Sequence, residues 1–288
     1  MIALTKRNLK LFFRDRASVF FSLLTVLIII ALYAFFLGDM MVRNMEDAGI
    51  SNAKVLTGSW VMAGLLTVIS VTATLGALGT MVEDKSKRIL NDFSASPLKR
   101  SSLIGGYMLS MFLIGMIMSV IALILAEAYI ALSGGTVLPL ASIAKILGCL
   151  ALSVLSGGSI VFFMASFFKS QNAFGNANIV IGTLIGFLTG IYIPIGELPG
   201  AVQAVIKAFP PSHSGALLRQ IMMDAPLKEA FAGAPAQALN EFRGAFGVTF
   251  SYGNQTASRA ASLIVLLATA AVFCGLALLN ISRKKKSV

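Results

Sequence analysis

Apolar residues along the chain collect into six uncharged runs, Val19 to Leu37, Val61 to Val82, Leu103 to Ala126, Ile146 to Phe168, Ala173 to Ile195 and Ala260 to Ile281. Each is long enough to cross a hydrocarbon core of about 30 Å as a helix, and a helix in lipid satisfies its own backbone hydrogen bonds. The pattern predicts an all-α integral membrane protein with six transmembrane helices. The first run follows a basic stretch, as a cleaved leader would. It is longer than a typical leader core and ends in Leu37-Gly38-Asp39 with no small-x-small cleavage pattern, so it reads as a retained span.

Smaller elements fall between the runs. Residues 1–17 place Arg7, Lys10 and Arg14 at i, i+3 and i+7 among Leu4, Leu11, Phe12 and Phe13, the pattern of an amphipathic helix lying at a membrane surface; a merely solvated charged face is the alternative. Gly38 to Thr57 reads as a polar loop, and Trp60 stands where an interfacial anchor would. Ser133 to Pro139 is a turn signal flanked by Glu127 and Lys145, both placed to snorkel to the interface. Residues 196–258 form a loop on the far side. Just before and within it, prolines at 194, 199, 210 and 211 bracket the stretch Ala201 to Phe209, whose nine residues are too few to cross. That stretch is expected to be an outer re-entrant helical element before the sixth span, tolerable where protein or water covers the broken backbone. Ser212 is a candidate N-cap for a following helix with Leu217, Leu218, Ile221 and Met222 at helical spacing. Ala225 to Ser258 reads as mobile or loosely helical. In the fifth run Asn178, Gly182, Gly186 and Gly190 recur every four residues, a helix-packing stripe along which another helix can approach closely.

Composition agrees with the pattern. Hydrophobic residues make up 57% of the chain and charged residues 12%, against about 25% charged in soluble domains. Placing both termini and the stretch Glu83 to Arg100 on one side assigns that side 15 of the 23 basic residues and four of the 12 acidic ones, so the whole net charge of +11 lies there. The positive-inside rule makes it the cytoplasmic face. The expected location is a bacterial plasma membrane, crossed several times. The basicity is thereby topological, and with no aromatic-basic module nucleic acid is not an expected partner.

Candidate chemistry is sparse. A single histidine, His213, excludes paired-histidine zinc motifs, and Cys149 and Cys274 lie inside runs without ligand spacing, so no metal site is expected. Ser212-His213-Ser214 lacks the Gly-x-Ser-x-Gly setting of a nucleophile and reads as a helix start. Gly-Lys does not occur, so no Walker A loop cradles phosphates. The expectation is a non-enzyme that binds no cofactor of its own. The central halves of the runs carry no ionisable side chain, which opposes ion-coupled transport.

What remains is the block Glu83 to Arg100, charged at both ends and set between two spans. With the amphipathic start, the six runs and the proline-broken segment Ile193 to Met222, it resembles the type-2 ATP-binding cassette (ABC) transporter permeases, the six-span exporter class. Glu83, Ser96-Pro97 and Lys99-Arg100 correspond to the acid, the helix-ending pair and the basic residue of that family's cytoplasmic loop, whereas Lys85-Ser86-Lys87-Arg88 departs from the usual Glu-Arg-Gly-Thr-like residues. The resemblance implies one permease domain over residues 1–288, with an interfacial helix at 1–17, a cytoplasmic coupling loop at 83–100 and an extracytoplasmic loop at 196–258. It further implies a second permease chain, identical or related, and two copies of a separate ATP-binding subunit that carry ATP and Mg. Asp84 to Ser96 would form a coupling helix, offering Ile89, Leu90 and Phe93 as an apolar ridge, with Glu83, Lys85, Lys87 and Arg88 beside it. The cargo would be amphipathic, drug-like or lipid-like. The rivals are a membrane scaffold, sensor or toxin-immunity protein using the outer loop as a receptor, and an ion-coupled secondary transporter.

Overall fold

A computed structural model describes residues 1–90, 100–253 and 255–283, with the side chains of 100, 282 and 283 excepted. Helix α1 (Ile2–Arg14) is followed after one residue by α2 (Arg16–Leu32), which runs through a π-helical turn (Tyr33–Leu37) into α3 (Gly38–Asp47). Asp15 makes the corner by capping α2, its carboxylate accepting from the Ser18 amide at 3.1 Å; caps of this kind satisfy an amide the helix cannot. The predicted polar loop from Gly38 is thus largely helical. The π-turn lets the helix continue where Gly38 meets the Tyr33 carbonyl, a contact with which any Cβ would collide.

Helix α4 (Ala53–Ser86) is the axis of the fold. At 34 residues it is about 51 Å long. It is buried on all sides from Leu56 to Val71, as a helix that is apolar all round must be. Around it stand α5 (Arg100–Leu132), α6 (Leu140–Ala165) and α7 (Gln171–Leu188), and α12 (Arg259–Arg283) packs on α6. Among the described residues five helical stretches are long and apolar enough to cross a membrane: Arg16–Asp47, Ala53–Ser86, Ser101–Leu132, Leu140–Ala165 and Arg259–Ile281. The chain is an all-α, multi-pass membrane protein.

The fifth predicted run is where structure and pattern differ. Helix α7 has 18 residues, begins with the polar Gln171 and Asn172, and stops at Leu188, short of the predicted Ile195. It stops because Gly190 turns into the left-handed region (φ 64°), letting the Ile191 amide reach back to the Gly186 carbonyl at 3.2 Å.

Beyond it come a 3₁₀ turn (Ile195–Glu197), α8 (Gly200–Ala208), α9 (Pro210–Met222), α10 (Asp224–Ala230), α11 (Ala236–Ala245) and a two-stranded hairpin, β1 (Ser251–Tyr252) with β2 (Gln255–Thr256). The stretch expected to be mobile or loosely helical therefore contains two helices and the hairpin. Helix α9 packs on α4, α6 and α12. It begins at Pro210, with Phe209 as N-cap, since consecutive prolines are pre-set for a first turn. Ser212 is consequently not the cap; its hydroxyl lies inside the helix and donates to the Leu188 carbonyl at 2.6 Å. Trp60 is not an interfacial anchor. It is fully buried, its Nε1 donating to the Phe246 carbonyl at 2.7 Å, because the segment after α9 folds back over that end of α4.

Candidate functional site

The charged block begins while α4 is still helical. Asp84, Lys85 and Ser86 belong to the last turn of α4, so a separate helix does not start at Asp84; the chain breaks at Arg88, in the left-handed region at φ 62°, and is helical again at 89–90. At 100° per residue, neighbouring side chains of that last turn point in different directions, and the structure uses each differently.

Asp84 faces inward and is 2% exposed. Its two carboxylate oxygens accept parallel bonds of 2.7 Å from Nη1 and Nη2 of Arg7, and one accepts a further bond from the Tyr107 hydroxyl on α5. Bidentate arginine pairing fixes geometry as well as charge. The bond to Asp84 raises the already high pKa of Arg7, with partial burial opposing it. Nearby, Asn8 donates to Ser110 Oγ at 3.2 Å and Thr5 Oγ1 to the Gly106 carbonyl at 3.3 Å. These bonds fasten α1 to α4 and α5.

Lys85 points the other way. Its Nζ donates to the Ser166 carbonyl at the end of α6 at 2.9 Å, and Asn280 of α12 donates to the Ser166 hydroxyl at 2.5 Å. The base of the block is thereby tied to α1 and α5 on one side and to α6 and α12 on the other.

Glu83 and Lys87 pair at 2.6 Å on the exposed face, a contact that raises the Lys87 pKa. Arg88 is exposed, and Ile89 and Leu90 are half-buried, with Leu90 packed on the core. Asp92, Phe93, Ser96, Pro97 and Lys99 lie outside the described residues, as do Lys284 to Lys286.

The stripe on α7 divides into three. A Cβ at Gly186 would press on the Tyr192 ring, so that glycine is used inside the chain, and Gly190 is the helix terminator. Gly182 meets nothing within 4 Å of where its Cβ would stand. The half-buried Asn178 carries a buried amide oxygen that has no hydrogen-bond partner among the described residues.

At the opposite end of the bundle sits a residue that sequence reasoning missed. Arg219 of α9 is completely buried. Its Nη2 donates to the Thr189 and Gly190 carbonyls at 3.0 and 2.9 Å, and its guanidinium lies 5.1 Å from the centre of the Trp60 ring. It neutralises the carbonyls that the end of α7 leaves open, where the helix dipole is negative. A lone arginine among the apolar positions Leu217, Leu218, Ile221 and Met222 was the available signal.

His213 is buried in the same element as a strut, bonded to Ser262 Oγ at 3.2 Å and the Lys207 carbonyl at 3.0 Å. Between the two ends runs a buried hydroxyl chain: Ser70 and Ser153 are 2.6 Å apart, and Ser153 donates to Ser214 at 2.9 Å, joining α4, α6 and α9. Among the described residues no group of three or more histidine, cysteine or acidic side chains could hold a metal ion.

Against known families, residues 44–279 match the ABC-2 family transporter protein. No curated protein matches the chain.

Proposed function

Because this chain belongs to the ABC-2 transporter family, we propose that it is the permease subunit of an exporter driven by a separate ATP-binding subunit. In this reading α7 is the fifth of six spans and α12 the sixth, α8 and α9 form a re-entrant element on the outer side between them, and both termini lie in the cytoplasm of a bacterium. Two permease chains and two ATP-binding subunits make the working unit, and ATP and Mg sit on the latter.

One observation supports this reading above the others. The base of the charged block is bonded through Asp84 to α1 and α5 and through Lys85 to Ser166 at the end of α6, which Asn280 of α12 also holds. A displacement that reaches residues 83–90 would therefore pass directly to α1, α5 and the end of α6, and through Ser166 to α12. Packed elements held by such contacts move as near-rigid bodies. An ATP-binding subunit gripping the apolar ridge of Ile89, Leu90 and Phe93, with Glu83, Lys85 and Arg88 beside it, would tilt those helices when it closes on ATP. Lys85 acts here as the inward tie, and Arg88 is the more exposed cation.

The cargo is taken to be amphipathic or lipid-like. Exposed apolar side chains on α2 and α7, among them Phe20, Phe21, Ile179 and Leu184, suit an apolar passage between two copies better than an ionic one.

The test is to change Leu90 and Phe93 to glutamate in the intact chain. Membrane insertion is expected to persist while the ATP-binding subunit no longer co-purifies and export stops. Retention of that subunit at wild-type yield overturns the reading of the loop.

A further inference from the structure

Helix α1 presents three different faces. Thr5, Asn8 and Phe12 are buried against α4 and α5. Ile2, Leu9 and Phe13 form an apolar edge, with Ile2 76% exposed. Lys6, Lys10 and Arg14, at i, i+4 and i+8, form an exposed row beside that edge. Together with Ala3, Arg7 and Leu11 the row lines an open cleft of ≈ 550 Å³. Arg7 is committed to Asp84, but among the described residues Lys6, Lys10 and Arg14 form no ion pair. The acids nearest the end of the row, Asp15 and Glu83, are engaged with Ser18 and Lys87.

The depth of α1 limits what the row can meet. Phe12 packs on Gly76, and Asn8 bonds to Ser110. Those partners lie six residues inside the apolar run ending at Val82 and seven inside the run starting at Leu103, which is about 9 to 11 Å along the helices. Helix α1 thus lies beside the ends of the spans, at the depth where amphipathic helices meet headgroups. One residue after it, α2 begins to cross. A soluble partner would have to displace lipid to reach a row bordered by an exposed apolar edge.

We propose that Lys6, Lys10 and Arg14 form a binding surface for anionic phospholipid, the headgroup phosphates pairing with the row while the acyl chains cover Ile2 and Phe13. This goes beyond the transport reading, since it concerns which bilayer the permease sits in rather than what it moves. Each basic residue at an anionic surface contributes roughly five-fold in affinity, and three together on the order of 100-fold.

The experiment titrates the purified full-length chain with fluorescent phosphatidylglycerol and, separately, fluorescent phosphatidylcholine in neutral detergent. The expected result is a preference for phosphatidylglycerol of roughly two orders of magnitude, weakened by salt. It should be abolished in the Lys6→Gln, Lys10→Gln, Arg14→Gln triple variant and kept when the same positions exchange lysine for arginine and arginine for lysine. Equal affinity of the wild-type chain for the two lipids overturns the proposal without recourse to any variant. So does displacement of phosphatidylglycerol by equimolar inorganic phosphate, which would make the site one for free anions. Loss of ATP-binding-subunit co-purification in the triple variant, with its lipid preference intact, would assign the row to a protein partner and likewise overturn it.

Discussion

Arg7 and Asp84, 77 residues apart in sequence, meet through two parallel hydrogen bonds of 2.7 Å at the base of the charged loop. The Asp84 side chain is almost fully buried, whereas that of Arg7 is one-third exposed. Asp84 therefore depends on Arg7 more than Arg7 depends on Asp84. Replacing Arg7 with alanine strands a buried acid and is expected to destabilise the chain by about 2 kcal/mol, below the usual cost of breaking a fully buried pair because water reaches one partner. The double change Arg7→Met, Asp84→Leu removes both charges, leaves only the Tyr107 hydroxyl without its acceptor, and is expected to recover most of the loss in unfolding temperature. If the pair also transmits motion from the loop, transport stays impaired in that double variant despite its stability. Thermal unfolding and transport assays on the same preparations separate the two roles.

Arg219 yields a second expectation. It holds the open carbonyls of Thr189 and Gly190 and stacks on Trp60. Arg219→Met leaves those carbonyls buried without donors, at a cost of about 2–4 kcal/mol. Arg219→Lys keeps the charge but loses the planar fork, and is expected to fall between the two. The order wild type, lysine, methionine in unfolding temperature is the outcome to check; a methionine variant as stable as wild type would show that the carbonyls find other donors.

Five predicted runs overlap the five helical stretches that are long and apolar enough to cross among the described residues, since some twenty apolar residues in lipid leave little choice but a helix. The end of α7 was not legible, because Gly190 terminates the helix inside a stretch that is still apolar. Composition fixes where the chain is greasy and leaves open where a glycine turns left-handed. The charged loop was legible as a site, but the roles within it were not. Glu83, Asp84 and Lys85 are adjacent in sequence, and only the docking of α1 and the end of α6 decides that Asp84 and Lys85 turn inward while Glu83 faces out. Trp60 misled for the same reason, its cover coming from residues almost 190 positions later.

Ser153 is expected to be a forgiving position despite complete burial. Its neighbours Ser70 and Ser214 direct their own hydroxyl protons to the Thr67 and Pro211 carbonyls, both at 2.7 Å. Ser153→Ala removes the middle of the hydroxyl chain without stranding either end, so the loss should be about 1 kcal/mol. Ser153→Val, which adds bulk between α4 and α9, should cost more than alanine because a packed interior resists added methyl groups. Unfolding temperatures of the two variants, measured in one detergent, give the comparison.

The glycines of α7 make opposite predictions eight residues apart. Gly190 has φ 64°, and a Cβ there would come within 2.8 Å of Ile195. Gly190→Ala is expected to cost about 2 kcal/mol through backbone strain and collision combined, and to release the turn that brings Thr189 to Arg219. Gly182 has open space where its Cβ would stand and lies on a helix exposing Ile179, Val180, Leu184 and Phe187. Within one chain, Gly182→Leu should be neutral or slightly stabilising, because it replaces a poor helix former with a good one. If two permease copies meet along this face, the added side chain holds their helices apart, and self-association weakens while the unfolding temperature of the single chain does not fall. Cross-linking yield between copies, read beside thermal unfolding, distinguishes the cases: a stable Gly182→Leu chain that still cross-links at wild-type yield would remove α7 from the contact between copies.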